Sequence, residues 1–204
     1  MKEYIIKKAD KSIDWTLADT LCIDTYKWMD NGYEADAKAW FLYDDKNIYV
    51  KFRVVEDKVR AEHKTHGSPV CEDSCVEFFL RPVGDKRYFN FEATVIGTML
   101  IGIGESRFDR VDTLPDDMSI FAIKPSVSDA EKFSGDAWEL EYKISFEFLE
   151  KYYGKFNLAD GLYANVYKCG DETEKPHFGM WSEVDWEEPD FHRPEFFGRM
   201  YFEM

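Results

Sequence analysis

The chain has 204 residues, 45% of them hydrophobic and 33% charged, so it is long enough for a sizeable core and too apolar for intrinsic disorder. Its formal charge of −15 opposes binding to nucleic acid or anionic membranes and favours a neutral ligand or a divalent cation. The sequence shows no signal-peptide pattern and no apolar run of transmembrane length. As it stands it therefore predicts a cytoplasmic protein, and a secreted one only if a leader has been removed.

Short alternating segments separated by turns follow one another along the chain. Residues 37–43 and 47–55 flank the polar turn Asp44-Asp45-Lys46 and predict a β-hairpin. Further strands are predicted at residues 74–81, 87–96, 99–104, 119–126, 137–144, 162–169 and 195–203. A short helix is predicted over residues 146–153, between the N-cap Ser145 and Gly154. This succession predicts one all-β domain over residues 1–204, an antiparallel β-sandwich (jelly-roll or immunoglobulin-like) with one short helix.

Alternation within these strands separates an apolar face from a polar one. In the strand that begins at residue 74, Glu77 points to the face opposite the apolar side chains. In the next strand, Asn90 and Glu92 also point away from the apolar face. Asn165 and Tyr167 share one side of the strand that begins at residue 162. Such a polar face is either solvated or the floor of a ligand groove, and the alternation alone does not choose between them.

Several segments together resemble the family 9-like carbohydrate-binding modules, which are associated with xylanases. They are, in order, residues 73–80 (DSCVEFFL), 88–92 (YFNFE), 96–98 (IGT), 164–171 (ANVYKCGD), 176–178 (PHF), 181–182 (WS) and 191–198 (FHRPEFFG). The resemblance covers most of the chain and implies a non-catalytic β-sandwich domain that binds an oligo- or polysaccharide of the xylan or cellulose type. It implies no required cofactor, although family members can hold structural calcium.

In that family two tryptophans enclose a sugar at a chain end, and polar side chains bind its hydroxyl groups. Trp181 stands where one tryptophan belongs, but Val70 and Cys71 stand where the other belongs. Either Tyr88, Phe79 or Trp186 substitutes for the second ring, or this mode of binding a sugar at a chain end is lost. The ligand-binding residues that the resemblance and the strand pattern imply are Trp181, Glu77, Asn90, Glu92, Asn165, Tyr167, Lys168 and His177.

Metal ligands are less clearly marked. Acidic oxygens of Asp44, Asp45, Glu72 and Asp73 are the hard ligands that calcium prefers. The four cysteines show no zinc-site spacing, and we expect all of them to be reduced thiols.

Two other functions remain open from the sequence. One is a glycoside hydrolase with two catalytic carboxylates, Glu77 with either Glu92 or Glu139. The other is a protein-interaction sandwich that has lost sugar binding, which the missing second tryptophan favours. The absence of a recognisable nucleophile motif makes the non-catalytic module the favoured interpretation.

Overall fold

The computed structural model describes residues 1–10 and 12–204. The strands are β1 (Glu3–Lys8), β2 (Leu21–Ile23), β3 (Thr25–Tyr26), β4 (Asp36–Tyr43), β5 (Asn47–Val55), β6 (Cys75–Pro82), β7 (Tyr88–Thr94), β8 (Met99–Gly104), β9 (Val111–Asp112), β10 (Lys124–Pro125), β11 (Ala137–Ser145), β12 (Leu162–Cys169), β13 (Phe178–Met180) and β14 (Gly198–Phe202). The helix α1 covers Phe146–Tyr153, and short 3-10 turns cover Trp15–Leu17, Val70–Glu72, Met118–Phe121, Ala130–Lys132, Leu158–Asp160 and Pro194–Phe196.

The strands form two curled sheets that β1 joins. One runs β10-β11-β5-β4, and the other runs β14-β12-β6-β7-β8-β9. The first residues of β1 pair with β14, and its last residues pair with β4, both in parallel. The all-β sandwich predicted from the sequence is confirmed, and these parallel pairings are the addition that alternation could not predict.

The core lies between the two sheets. Phe41 of β4 meets Phe78 of β6 with ring centroids 4.8 Å apart, which joins the predicted hairpin to the central strand of the other sheet. Helix α1 begins where Ser145 Oγ accepts a hydrogen bond from the Phe148 amide, as its sequence predicts. Among the described helices, none has the length and apolarity needed to cross a membrane.

One predicted strand is wrong. Residues 119–126 begin as the 3-10 turn Met118–Phe121 and contribute only the two-residue strand β10. The Asp117 carboxylate accepts from the Ser119 amide, and Ala122 adopts φ 47°, so capping and a left-handed residue interrupt the extended chain. The other predicted strands form, although the last is shorter, at Gly198–Phe202.

Candidate functional site

Three adjacent strands, β12, β6 and β7, present one side-chain face away from the core between the sheets and toward a second, smaller cluster of buried apolar residues. Register places Tyr167, Glu77 and Glu92 in one row across them. The rows on either side contain Asn165, Phe79 and Asn90, and Cys169, Cys75 and Thr94. We call these nine residues the polar face. A rigid sheet therefore holds two carboxylates, two amides and two thiols side by side.

The chain from β13 to β14 folds over part of this face. The Phe191 ring stacks on Tyr167 with centroids 4.0 Å apart, and the Tyr167 hydroxyl donates to the Phe191 carbonyl at 3.1 Å. Asn165 fixes the same segment, because its side chain donates to the Ser182 carbonyl at 2.8 Å and accepts from the Ser182 amide at 2.9 Å. Between these contacts a small opening remains over Glu77 and Glu92.

That opening is a cavity of about 130 Å³, which we call the acidic cavity. Its lining combines acids, one arginine, thiols and aromatic rings: Cys71, Glu77, Glu92, Arg107, Cys169, Asp171, Phe178, Pro189, Asp190, Phe191 and His192. A few convergent polar groups beside apolar rings are the usual composition of a small-ligand site.

Burial dominates the electrostatics of the two glutamates. Desolvation raises the pKa of Glu77 well above its ordinary value, and the neighbouring Glu92 raises it further. Desolvation also raises the pKa of Glu92, while Arg110 and the Asn90 amide, whose Nδ2 donates to Glu92 Oε1 at 2.5 Å, act in the opposite direction. Each carboxyl group therefore disfavours the charged form of the other, because like charges in directly opposite positions repel.

Asp171 adds a third carboxyl group. Burial, and then the charge of Glu92, raise its pKa to about 6. Its Oδ1 atom is buried, and no group in the described part of the chain donates a hydrogen bond to it. Such an unpaired buried acceptor is uncommon in folded proteins, and this one can accept a hydrogen bond from water or a ligand, or contact a cation.

His192 closes one side of the acidic cavity. Its Nδ1 lies 2.9 Å from the Tyr88 hydroxyl and 2.8 Å from Nη1 of Arg110. Burial and the charges of Arg110 and Arg107 lower its pKa to about 2. The ring is therefore neutral near physiological pH and can accept a hydrogen bond.

The structure brings five predicted binding residues to the polar face: Glu77, Asn90, Glu92, Asn165 and Tyr167. Glu77 and Glu92 line the acidic cavity itself. Asn90 orients Glu92, and Asn165 and Tyr167 hold the covering segment.

Lys168 and His177 lie elsewhere, which corrects their predicted grouping with Glu77. Successive strand residues point to opposite faces, so Lys168 points to the core side of β12. There its Nζ lies 3.0 Å from Glu56 Oε1 and 2.7 Å from His177 Nε2, and we call these three residues the lysine network. Glu56 and His177 line a second, larger cavity of about 660 Å³, the wide groove.

Trp181 also departs from its predicted position. Only 5% of it is exposed, and it belongs to the core between the sheets. Gly198 leaves room for the ring, since a Cβ atom there would come within 2.6 Å of it. A covered indole has no free face for a sugar, so the predicted stacking role does not fit this placement.

The three predicted substitutes for the second tryptophan do not provide a free wall either. Tyr88 and Phe79 are fully buried, and the Arg193 guanidinium covers the exposed Trp186 ring at 3.6 Å. The rings at the cavity are Phe178 and Phe191. Both lie within the segments that carry the family resemblance, but nothing in their spacing distinguishes them from core residues.

The acids proposed as calcium ligands or as a second catalytic group are engaged elsewhere. Asp73 pairs with Arg60 and accepts from the His63 amide at 2.9 Å, and Asp44 accepts from the Asn47 amide at 2.7 Å. Structural calcium stays a prediction without assigned ligands. Glu139 lies on β11, in the other sheet, where its carboxylate pairs with Lys51 of β5 at 2.8 Å. Its predicted pairing with Glu77 is therefore wrong.

Comparison with known proteins identifies similar chains. The family model described as carbohydrate-binding family 9 matches residues 7–202. A protein of Bacteroides uniformis to which carbohydrate binding is ascribed is 28% identical, with 99% of each chain covered and a TM-score of 0.87. Among curated proteins, none matches the chain.

Two further structures share the fold at lower identity. A family 9 carbohydrate-binding module of Caldicellulosiruptor kristjanssonii in complex with glucose is 13% identical, with a TM-score of 0.67 over 99% of this chain and 96% of that one. The same module in complex with cellotriose gives the same identity and TM-score, over 99% of this chain and 94% of that one.

Proposed function

Because the chain belongs to carbohydrate-binding family 9, we propose that its acidic cavity binds one residue of a neutral oligo- or polysaccharide of the xylan or cellulose type, without cleaving it. The observation that carries this proposal is the row of Glu77 and Glu92 on the polar face beneath Phe178 and Phe191. Carboxyl groups at fixed positions bind hydroxyl groups, and aromatic rings cover the apolar face of a pyranose.

The size of the acidic cavity limits how much of a saccharide it can hold. A volume of about 130 Å³ is below the usual range for drug-sized ligands, so the rest of a longer saccharide would lie outside. Covering 80–100 Å² of sugar with a ring contributes roughly 2–2.5 kcal/mol, so hydrogen bonds to the acids supply much of the affinity. We expect weak binding once the cost of association is included.

The wide groove is larger but suits a neutral sugar less well. Its lining includes several charged side chains, and Lys175 Nζ lies 5.0 Å over its aromatic ring, Tyr33. A ring already paired with a cation is a poorer platform for a pyranose.

The test is calorimetric titration of the native chain with xylo-, cello- and manno-oligosaccharides. We expect Glu92→Gln to weaken binding roughly 10- to 100-fold, which corresponds to a lost charged hydrogen bond of about 1.5–3 kcal/mol. Trp181→Phe keeps a core ring and should bind as the native chain does. No binding by the folded native chain to any of these sugars would contradict the proposal and favour a protein-interaction role.

Glycoside hydrolysis is the second candidate, because Glu77 and Glu92 stand directly opposite each other. Such pairs have Cβ atoms about 4.5–5.5 Å apart, and retaining hydrolases place their carboxyl groups at a similar separation of about 5–5.5 Å. Chromatography of the incubated oligosaccharides distinguishes the two functions. Product that forms with the native chain and disappears with Glu77→Gln would establish the enzyme.

A further inference from the structure

Two thiols and a carboxyl group lie close together beside the acidic cavity, whose lining includes Glu77 and Cys169. Cys75 and Cys169 are directly opposite each other on β6 and β12, and Glu77 follows two residues after Cys75 on the same face. Both sulfur atoms and a carboxylate oxygen of Glu77 lie within 4.8 Å of one another. The Cys169 thiol already donates to Glu77 Oε1 at 3.0 Å. The three atoms are therefore close enough together to serve as ligands of one ion after a small adjustment.

The position of this cluster is both rigid and reachable. Cys75, Cys169 and Glu77 are at most 3% exposed, and strand pairing fixes all three. The acidic cavity nevertheless reaches Glu77 and Cys169, so an ion can enter from that side. The cavity also leaves a coordination position open toward solvent.

The surroundings favour a cation. Glu92 and Asp171 line the same cavity, with Arg107 as the cationic residue of that lining. The buried Oδ1 of Asp171 accepts no hydrogen bond from the residues that the structure describes. A bound divalent ion would offset the repulsion among these acids and give the open acceptor a partner, directly or through water.

We propose that Cys75, Cys169 and Glu77 form a binding site for a divalent ion of the zinc class, with a fourth position open to the acidic cavity. Two sulfur ligands and one carboxylate suit zinc and its analogues, whereas calcium and magnesium prefer oxygen ligands alone. In tetrahedral geometry with Zn–S bonds of about 2.3 Å, ligand atoms stand roughly 3.5–3.8 Å apart, so the cluster needs only a small contraction. Each coordinating thiol releases its proton to solvent on binding.

The experiment titrates Co²⁺, and then Zn²⁺ in competition, into the reduced, metal-free chain without any sugar. We expect one equivalent of Co²⁺ to produce a thiolate-to-cobalt charge-transfer band that Zn²⁺ removes. Cys75→Ser and Cys169→Ser should each weaken binding at least about 100-fold, because even second-shell changes cost 10- to 100-fold. Cys22→Ser, which changes an exposed thiol on β2, is the matched control and should bind as the native chain does.

Several results would overturn the site. They are the absence of a charge-transfer band in the reduced native chain, an undiminished band in both serine variants, and a thiol count showing that Cys75 and Cys169 form a disulfide in the purified protein. If a serine variant fails to fold by circular dichroism, Glu77→Gln takes its place and should weaken Co²⁺ binding at least about tenfold. Because no sugar is present, failure here leaves the proposed saccharide site untouched.

Discussion

On the core side of β12, Lys168 lies 3.0 Å from Glu56, and His177 accepts from the same ammonium at 2.7 Å. On the other side, Glu77 faces Glu92, a group of the same charge, and Asp171 keeps a buried oxygen without a partner among the described residues. The lysine network pairs opposite charges, whereas the acidic cavity brings acidic groups together and leaves one carboxylate oxygen without a donor among the described residues. Buried ionisable groups with complete partners are typical of structural support, and buried ionisable groups with raised pKa values in a cavity are typical of functional sites.

The largest effect should come from breaking the lysine network. Lys168→Met leaves Glu56 buried without its cation, so the free energy of unfolding should fall by about 3–5 kcal/mol in urea denaturation. Lys58→Met is the matched control, because Lys58 pairs with Glu174 at 2.6 Å on the surface. Solvent screens that exposed pair, so its loss should change the free energy of unfolding far less than the loss of Lys168 does. Equal losses in the two variants would contradict the structural role of the network.

The acidic cavity should respond in the opposite way. Desolvation and Glu92 both disfavour the charged form of Glu77, so Glu77→Gln replaces the carboxyl group with a neutral group of similar shape, and the unfolding free energy should change by no more than about 1 kcal/mol. Binding of cellotriose should weaken roughly 10- to 100-fold. Urea denaturation and calorimetry on the same preparation check both values. A large loss of stability with unchanged binding would assign Glu77 to structure instead.

His177 gives the lysine network a pH dependence. Burial and the charge of Lys168 lower its pKa from 6.5 to about 3, so the unfolded chain takes up a proton near pH 6.5 and the folded chain does not. Stability is therefore lost as the pH falls from about 6.5 toward 3, by about 1.4 kcal/mol per pH unit for this group. His177→Gln keeps an acceptor for Lys168. Its free energy of unfolding should fall less steeply with decreasing pH, because the contribution of the histidine is missing. Parallel pH profiles for the two chains would refute the assignment.

The smallest effect should come from the exposed tryptophan. Trp186→Ala removes the ring beneath Arg193, a surface contact that contributes about 0.5–1 kcal/mol, and should leave cellotriose affinity unchanged. Phe178→Ala removes a ring that lines the cavity and should weaken binding. Calorimetry on both variants decides which ring contacts the sugar.

Strand alternation predicted much of the fold. The hairpin of β4 and β5, the bounds of β8 and β12 and the cap of α1 follow from local pattern and turn chemistry. The strand predicted at residues 119–126 failed because a side-chain cap and a left-handed residue compete with extension there. The parallel pairing of β1 depends on contacts distant in sequence, which periodicity does not encode.

The site was predictable only in part. Alternation placed Glu77, Asn90 and Glu92 on one face, but it did not reveal that Cys75 and Cys169 would be opposite each other, because register between distant strands is set by the whole sheet. The polar neighbours of Trp181 favoured exposure, yet the ring enters the core above Gly198. The polarity of sequence neighbours does not determine whether a loop side chain packs between the two sheets.

The most direct test of the central claim is a crystal structure of the chain grown with cellotriose. The account predicts one sugar residue in the acidic cavity, with its hydroxyl groups in hydrogen-bond contact with Glu77 or Glu92 and a ring face against Phe178. Sugar bound in the wide groove beside Tyr33, with the acidic cavity holding only water, would contradict it.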